Sequence, residues 1–391
     1  MSNRSSKRRT ASLAALTLAG MIGSLAMTAS PGDAASAPTT RSYNGPENCV
    51  TIDADGNVTA PGPGDCAQFG KAGQGRTTDT ARNVILIIGD GMGQQEITAA
   101  RNYLKGAAGR FEGIDELTSE GMYTHHSIDA SGQFNYVTDS AASGTAWSTG
   151  TKTYNGALGI QIDGKPVENM IEIAKKAGMR TGNVSTSEIQ DATPAAMGSH
   201  AVGRKCYGPE NTKETNKSCF GDFYNQQYRE NGGLGSISEQ LIETRADVTL
   251  GGGAKAFNQQ VQESGPGRNP FLTGVDGIKQ TEWTAGKTVL ENAKDNGFQV
   301  VTTADELKAV KKADQDNPVL GLFHDGNMTT RFAPYQAEVG GAKKAPHQCK
   351  KQDIGTEPEL PLMANKAIEL LDDPKAEKGF FLQIESASID K

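Results

Sequence analysis

From Asn83 onward, apolar runs of strand length alternate with stretches of helical periodicity, and this alternation limits the fold more than any other feature. Strands are expected at Val84 to Ile88, Met122 to Ile128, Asn135 to Thr138, Thr181 to Ser185, Val248 to Leu250, Gln299 to Thr302, Val319 to Phe323 and Phe380 to Ile384. Helices are expected near 96–104, 141–148, 167–176, 288–295 and 362–371. Such interleaving predicts an α/β fold, a mostly parallel central sheet with helices on both faces. Reactive groups then gather beyond the carboxyl ends of the strands. Segments 205–235 and 252–285 read as insertion loops that decorate this scaffold.

The first 37 residues follow another logic. Arg4, Lys7, Arg8 and Arg9 precede an apolar run from Ala11 to Ala29 and the small residues Ala35-Ser36-Ala37, the order of a cleaved export signal. A secreted product without a stable membrane anchor is expected, and the Arg8-Arg9 pair also suits twin-arginine export. Residues 1–37 carry four basic and one acidic side chain, so their removal takes the net charge from −7 to −10. No basic cluster remains that could follow a nucleic-acid backbone. Residues 38–80, rich in Gly, Pro, Thr and Asp, read as an N-terminal extension.

Five cysteines suit an oxidising destination. Local pairing joins Cys49 with Cys66 and Cys206 with Cys219, leaving Cys349 alone.

Four segments carry chemistry. Gly89-Asp90-Gly91-Met92-Gly93 ends an apolar strand with a carboxylate between glycines, which suits a hard cation better than a pyrophosphate that the Asp would repel. Tyr136 to Ala146 reads as a strand ending in Asp139-Ser140 and running into a helix of small residues, which puts Ser140 at a helix N-terminus where an anion is favoured. No G-x-S-x-G elbow surrounds Ser140 and no Lys lies three residues after it, so activation falls to a metal ion rather than a His base. Asp191 and Thr193 stand two apart as oxygen ligands before a helix that Pro194 is expected to start, and Arg204 beside Cys206 can grip phosphate oxygens bidentately. The last strand delivers Glu385 and Asp390 to the sheet edge.

Together these segments, with Thr145 to Gly150, Lys152 to Gly156 and Glu385 to Lys391, resemble the alkaline phosphatases, especially the bacterial secreted ones. The resemblance runs from about residue 83 to the last residue and marks 81–391 as an alkaline phosphatase-like catalytic domain. It implies that Ser140 becomes phosphorylated and that Arg204, oriented by Asp139, binds the phosphoryl oxygens. It further implies two zinc ions and one magnesium. Asp90 bridges the second zinc and the magnesium, Thr193 and Glu385 ligate the magnesium with Asp191 acting through water, Asp390 ligates the first zinc, and Lys391 reaches the phosphate through water. Small phosphate monoesters as substrates and a homodimer are implied in the same way.

One departure from the family pattern stands out. The family's zinc-binding histidines lie after the Asp-Lys pair, and none of His125, His126, His200, His324 and His347 falls on such a position. The catalytic domain is therefore expected to be incomplete, its C-terminal part missing together with the partner of Cys349. A related metal-dependent phosphodiesterase or sulfatase, and an inactive fragment, are the alternative readings.

Overall fold

The computed structural model describes residues 81–390, apart from 118, 120, 130, 211, 215, 216, 335, 337, 341–349 and 375, together with 51–52 and 58–59. The expected pair Cys49 and Cys66, the lone Cys349 and Lys391 lie outside the described residues, as does residues 1–37. Before residue 77 the described strands Thr51–Ile52 and Val58–Thr59 pair antiparallel, in the stretch read from sequence as an N-terminal extension.

Six strands form the main sheet: β1 (Val84–Gly89), β2 (Arg180–Glu188), β3 (Val248–Gly252), β4 (Gln299–Val301), β5 (Val319–Leu322) and β6 (Phe380–Ser386). Their order is β4-β5-β3-β2-β6-β1, and every neighbouring pair runs parallel. The expected α/β class with a mostly parallel sheet is what the chain adopts.

Side-chain alternation along β6 explains the layering. Phe380, Leu382 and Ile384 join Val184, Val248 and Leu250 in one core, capped by helix Leu360–Leu371. Phe381 points to the other face and packs with Ile171 and Ala174 of helix Met170–Lys176. A residue period of two thus builds two apolar layers from one strand. Helix starts follow from local chemistry: Asn169 with Glu172, Ser236 with Glu239 and Thr288 with Glu291 form capping boxes, each satisfying two amides at a helix entry. The helix at Ile237–Thr244 was not anticipated, although Ser236 three residues before Glu239 signals it.

At the edge, β1 leaves Ile85 and Ile87 exposed at 42% and 73%, and the helix Gln94–Lys105 that follows buries no residue.

The strands expected at 122–128 and 135–138 are corrected. Only Ser127–Ile128 and Phe134–Asn135 pair, antiparallel and outside the main sheet. Asp129 accepts the amides of Ser131 and Gln133 at 2.9 and 3.0 Å, closing a tight turn between them. Beyond it, the Asn155 side chain takes the Val137 carbonyl at 2.9 Å and the Asp139 amide at 3.1 Å, where a strand would need a sheet neighbour. Ser140 is therefore placed by a side-chain clasp and a helix cap, not by a strand end.

Candidate active site

Three neighbouring strands, β2, β6 and β1, deliver their C-terminal ends to one edge. Glu385 of β6 lies opposite Ser185 of β2 and Ile88 of β1, and the Asp90 amide donates to the Ser386 carbonyl at 3.2 Å. Gly91, at φ 74°, turns the chain after Asp90, and a Cβ there would stand 2.8 Å from the Asp390 Cα. The glycine is thus required twice, for its backbone conformation and for the close approach of 90–91 to the exposed Asp390.

Glu385 is 1% exposed. Its carboxylate accepts from the hydroxyls of Ser185 and Ser187, and Thr193 also hydrogen-bonds to it. Burial pushes its pKa up, the hydroxyls pull it down, and the like charges of Asp90 and Asp191 push it up further. Asp90, Asp191 and Thr193 therefore all act on the buried Glu385, a negatively biased position.

On the other side stands a charge-balanced chain of hydrogen bonds. Helix Ser140–Thr149 opens on Ser140, with Asp139 as its N-cap: Asp139 Oδ1 accepts the Ala142 amide at 2.8 Å. Asp139 Oδ2 accepts from Arg204 Nη1 at 3.1 Å, and Arg204 Nη2 donates to Asp191 Oδ1 at 3.2 Å. Burial works against the Arg204 charge, and the two carboxylates outweigh it, holding the guanidinium pKa above its ordinary value. Arg204 Nε is buried without a hydrogen-bond partner, a donor left over for an anionic oxygen.

Asp191 caps the four-residue helix Ala192–Ala195 by accepting the Ala192 amide at 3.0 Å. Pro194 therefore sits third in this helix instead of starting it. Asp191 Oδ1 also accepts from the Tyr207 hydroxyl at 2.9 Å, and Lys205 Nζ donates to Tyr207 Oη at 2.7 Å. Burial, then the nearby Asp191, raises the Tyr207 pKa and keeps the phenol a donor. Cys206 and Cys219 are bonded, with Cα atoms 5.0 Å apart, in the loop that carries Arg204 and Tyr207.

Asn155, Tyr207 and the pair Ser185 and Ser187 were not singled out from sequence. Tyr207 and Asn155 lie in or beside the quoted segments, yet only the folded loops show what they touch.

The donor set discriminates between metals. Carboxylates and a hydroxyl around Glu385 suit a hard, oxygen-seeking cation such as magnesium. Among the described residues no group of three or more His, Cys, Asp and Glu side chains is gathered as a metal site. His200, buried, is engaged elsewhere, by Glu172 and the Gly159 carbonyl. Among the described residues no helix is long and apolar enough to cross a membrane.

Comparison with known proteins supplies the family. The alkaline phosphatase family model matches residues 81–391. The chain is 49% identical over 347 residues to an alkaline phosphatase of Escherichia coli, covering 86% of this chain and 67% of the relative. It is 49% identical to alkaline phosphatase H of Pseudomonas aeruginosa, over 80% of this chain and 60% of that protein. A streptomycin-6-phosphate phosphatase of Streptomyces griseus is 40% identical, over 79% of this chain and 64% of that protein. Among solved structures, the alkaline phosphatase of Thermus thermophilus superposes with a TM-score of 0.51 at 26% identity, covering 78% of this chain and 49% of that one. This chain thus spans about two thirds or less of the length of the relatives it matches. With a match that runs from before Asp90 to beyond Asp390, the chain belongs to the alkaline phosphatase family of phosphomonoester hydrolases.

Proposed function

We propose that the chain hydrolyses small phosphate monoesters through a phosphoserine on Ser140. The observation that carries this reading is the link from Asp139 to Arg204 to Asp191, which fixes a guanidinium one residue away from the start of the Ser140 helix. The phosphoryl group is held by Arg204 and by the amides at that helix start, both favourable to an anion. Asp139 orients Arg204, and Lys391 assists the phosphate through water.

Magnesium would be held by Asp90, Thr193 and Glu385, with Asp191 acting through water, while Asp390 would ligate the first zinc. A bound divalent cation supplies positive charge that stabilises oxygens as they become anionic. Among the described residues, zinc would draw on the carboxylates of Asp90 and Asp390.

Ser140 Oγ, its proton passing to solvent, attacks phosphorus as the bond to the alcohol oxygen breaks, and the departing alkoxide takes up a proton from water. Arg204 spreads its charge over the phosphoryl oxygens while this happens. Water then attacks the phosphoserine, releasing inorganic phosphate and restoring the hydroxyl. Export directed by residues 1–37, with their removal, and pairing into a homodimer belong to the same proposal.

The test is acid quenching during turnover of p-nitrophenyl phosphate by the full chain with magnesium and zinc supplied. Mass spectrometry is expected to find a phosphate adduct on the Ser140 peptide, lost in Ser140→Ala and suppressed by a chelator. Undiminished turnover by Ser140→Ala would sink the nucleophile assignment, and faster cleavage of a diester than of the monoester would shift the reading to a phosphodiesterase.

A further inference from the structure

A buried pair of titratable side chains lies outside the site described above. His200 and Glu172 are 2% and 0% exposed, and His200 Nε2 lies 2.9 Å from Glu172 Oε1. On its other side, His200 Nδ1 lies 2.7 Å from the Gly159 carbonyl oxygen, which can only accept. Glu172 also accepts from the Asn269 side chain at 2.8 Å and from the Asn169 amide at 2.9 Å. A carbonyl on one ring nitrogen with a carboxylate on the other asks the imidazole to donate from both. Glu172 is the charged group that acts on the ring, and the Gly159 carbonyl and the Phe271 ring, 5.4 Å away between centroids, are neutral.

The Gly159 carbonyl belongs to a turn with an unusual number of duties. Asn155 clasps the Asp139 amide, and Gly156 accepts the Arg204 amide at 2.7 Å. Thr145, on the Ser140 helix, accepts the Gly159 amide at 2.9 Å and donates to the Ala157 carbonyl at 3.1 Å. Leu158 pairs with Ala201, next to His200, and the same strand of residues leads on to Arg204. Residues 155–159 therefore touch the segment before the nucleophile, its helix and the arginine together. Gly159 is held at φ 57°, and a Cβ there would stand 2.7 Å from His200 Nδ1, so the turn closes directly onto the ring.

We propose that His200, clamped between Glu172 and the Gly159 carbonyl, is a positioning residue that sets the spacing between Ser140 and Arg204. It touches no substrate and acts through the 155–159 turn. Burial alone would favour the neutral ring, while Glu172 and the Gly159 carbonyl outweigh it and raise the His200 pKa. The inference rests on the reading of Ser140 and Arg204 given under Proposed function.

The test uses the full chain with magnesium and inorganic phosphate as the probe. In the wild type, nitrogen chemical shifts of labelled histidine are expected to show His200 titrating above 6.5, its ordinary value; a titration below it would overturn the proposal. Calorimetry on His200→Gln is expected to show phosphate binding weakened about tenfold to hundredfold, with kcat/KM falling mainly through KM. Glu172→Gln is expected to bind phosphate progressively more weakly than the wild type as pH rises above 6.5, the ordinary histidine value. Unchanged phosphate affinity in a folded His200→Gln overturns the inference. Arg204→Ala is the benchmark: if it leaves phosphate affinity unchanged, the reading of Arg204 fails first. Should both pair variants lose their circular dichroism signal, the wild-type nitrogen shifts decide.

Discussion

Arg204 and Asp139 meet through one hydrogen bond of 3.1 Å, across 65 positions of sequence. Asp139 spends its two oxygens on different tasks, one capping the Ser140 helix and the other holding the guanidinium. The same residue therefore couples the stability of that helix to the placement of Arg204.

The two tasks separate by substitution. Asp139→Asn keeps an oxygen for the cap and loses the charge beside Arg204, so denaturant unfolding is expected to change by less than about 0.5 kcal/mol while phosphate affinity falls. Asp139→Ala loses both and is expected to unfold about 1 kcal/mol more easily. Equal stability losses in the two variants would show that the cap contributes nothing.

Glu385 predicts a pH signature of stability. Its folded pKa is raised above the ordinary 4.5, by burial first and by Asp90 and Asp191 among the lesser causes. Between 4.5 and that raised value the folded chain binds more protons than the unfolded one, so stability falls as pH rises. Buried Glu239, pushed up to about 7, acts in the same direction, so the comparison must be with Glu385→Gln and not with theory. Unfolding without metal is expected to show a smaller loss between pH 4.5 and 7 in Glu385→Gln than in the wild type. Magnesium is expected to restore stability at high pH in the wild type only, since a cation binds the deprotonated carboxylate. Equal magnesium responses would remove Glu385 from the cation site.

The bond between Cys206 and Cys219 closes a loop whose ends are 13 residues apart. Chain entropy assigns such a closure roughly 3 kcal/mol. Cys219→Ser is therefore expected to lose about 2–4 kcal/mol in denaturant unfolding, and reduction of the wild type should reproduce most of that loss. Because Arg204 lies two residues before Cys206, KM is expected to rise more than kcat falls. A change in kcat alone would mean that the loop does not steer Arg204.

The sheet was legible because its strands are short apolar runs, and the parallel order follows from helices between them. Burial on both faces of β6 explains why Phe380 to Ile384 shows no polar alternation. The region before Ser140 was misread because Tyr136 and Val137 are strand-forming residues; their backbone is held by the Asn155 side chain, a contact that no local pattern announces. Asp90, Glu385 and Asp390 could be placed at one edge from their strand ends alone. Tyr207 could not, because its hydroxyl finds Asp191 only after the disulfide loop has folded over the β2 end. His200 was likewise indistinguishable from an ordinary core histidine until both acceptors on its ring were visible.

Lys175 gives the opposite pH trend to Glu385 and tests the buried charges independently of the active site. It is 6% exposed and donates to the Arg245 carbonyl at 2.7 Å. Burial lowers its pKa to about 8, with the Arg245 charge adding to this and Asp247 opposing it. Between that value and the ordinary 10.5, the unfolded chain binds more protons than the folded one, so this side chain makes stability rise with pH. Below pH 8 the buried ammonium costs stability on the order of 3 kcal/mol. Lys175→Met, of similar length, removes the charge and leaves the Arg245 carbonyl to the Gln315 side chain, which already donates to it at 3.2 Å. It is expected to raise the unfolding free energy at pH 7 by about 1–3 kcal/mol, an advantage that vanishes by pH 10.5. A variant that is less stable at pH 7 would mean that the hydrogen bond to Arg245 outweighs the cost of burying the charge.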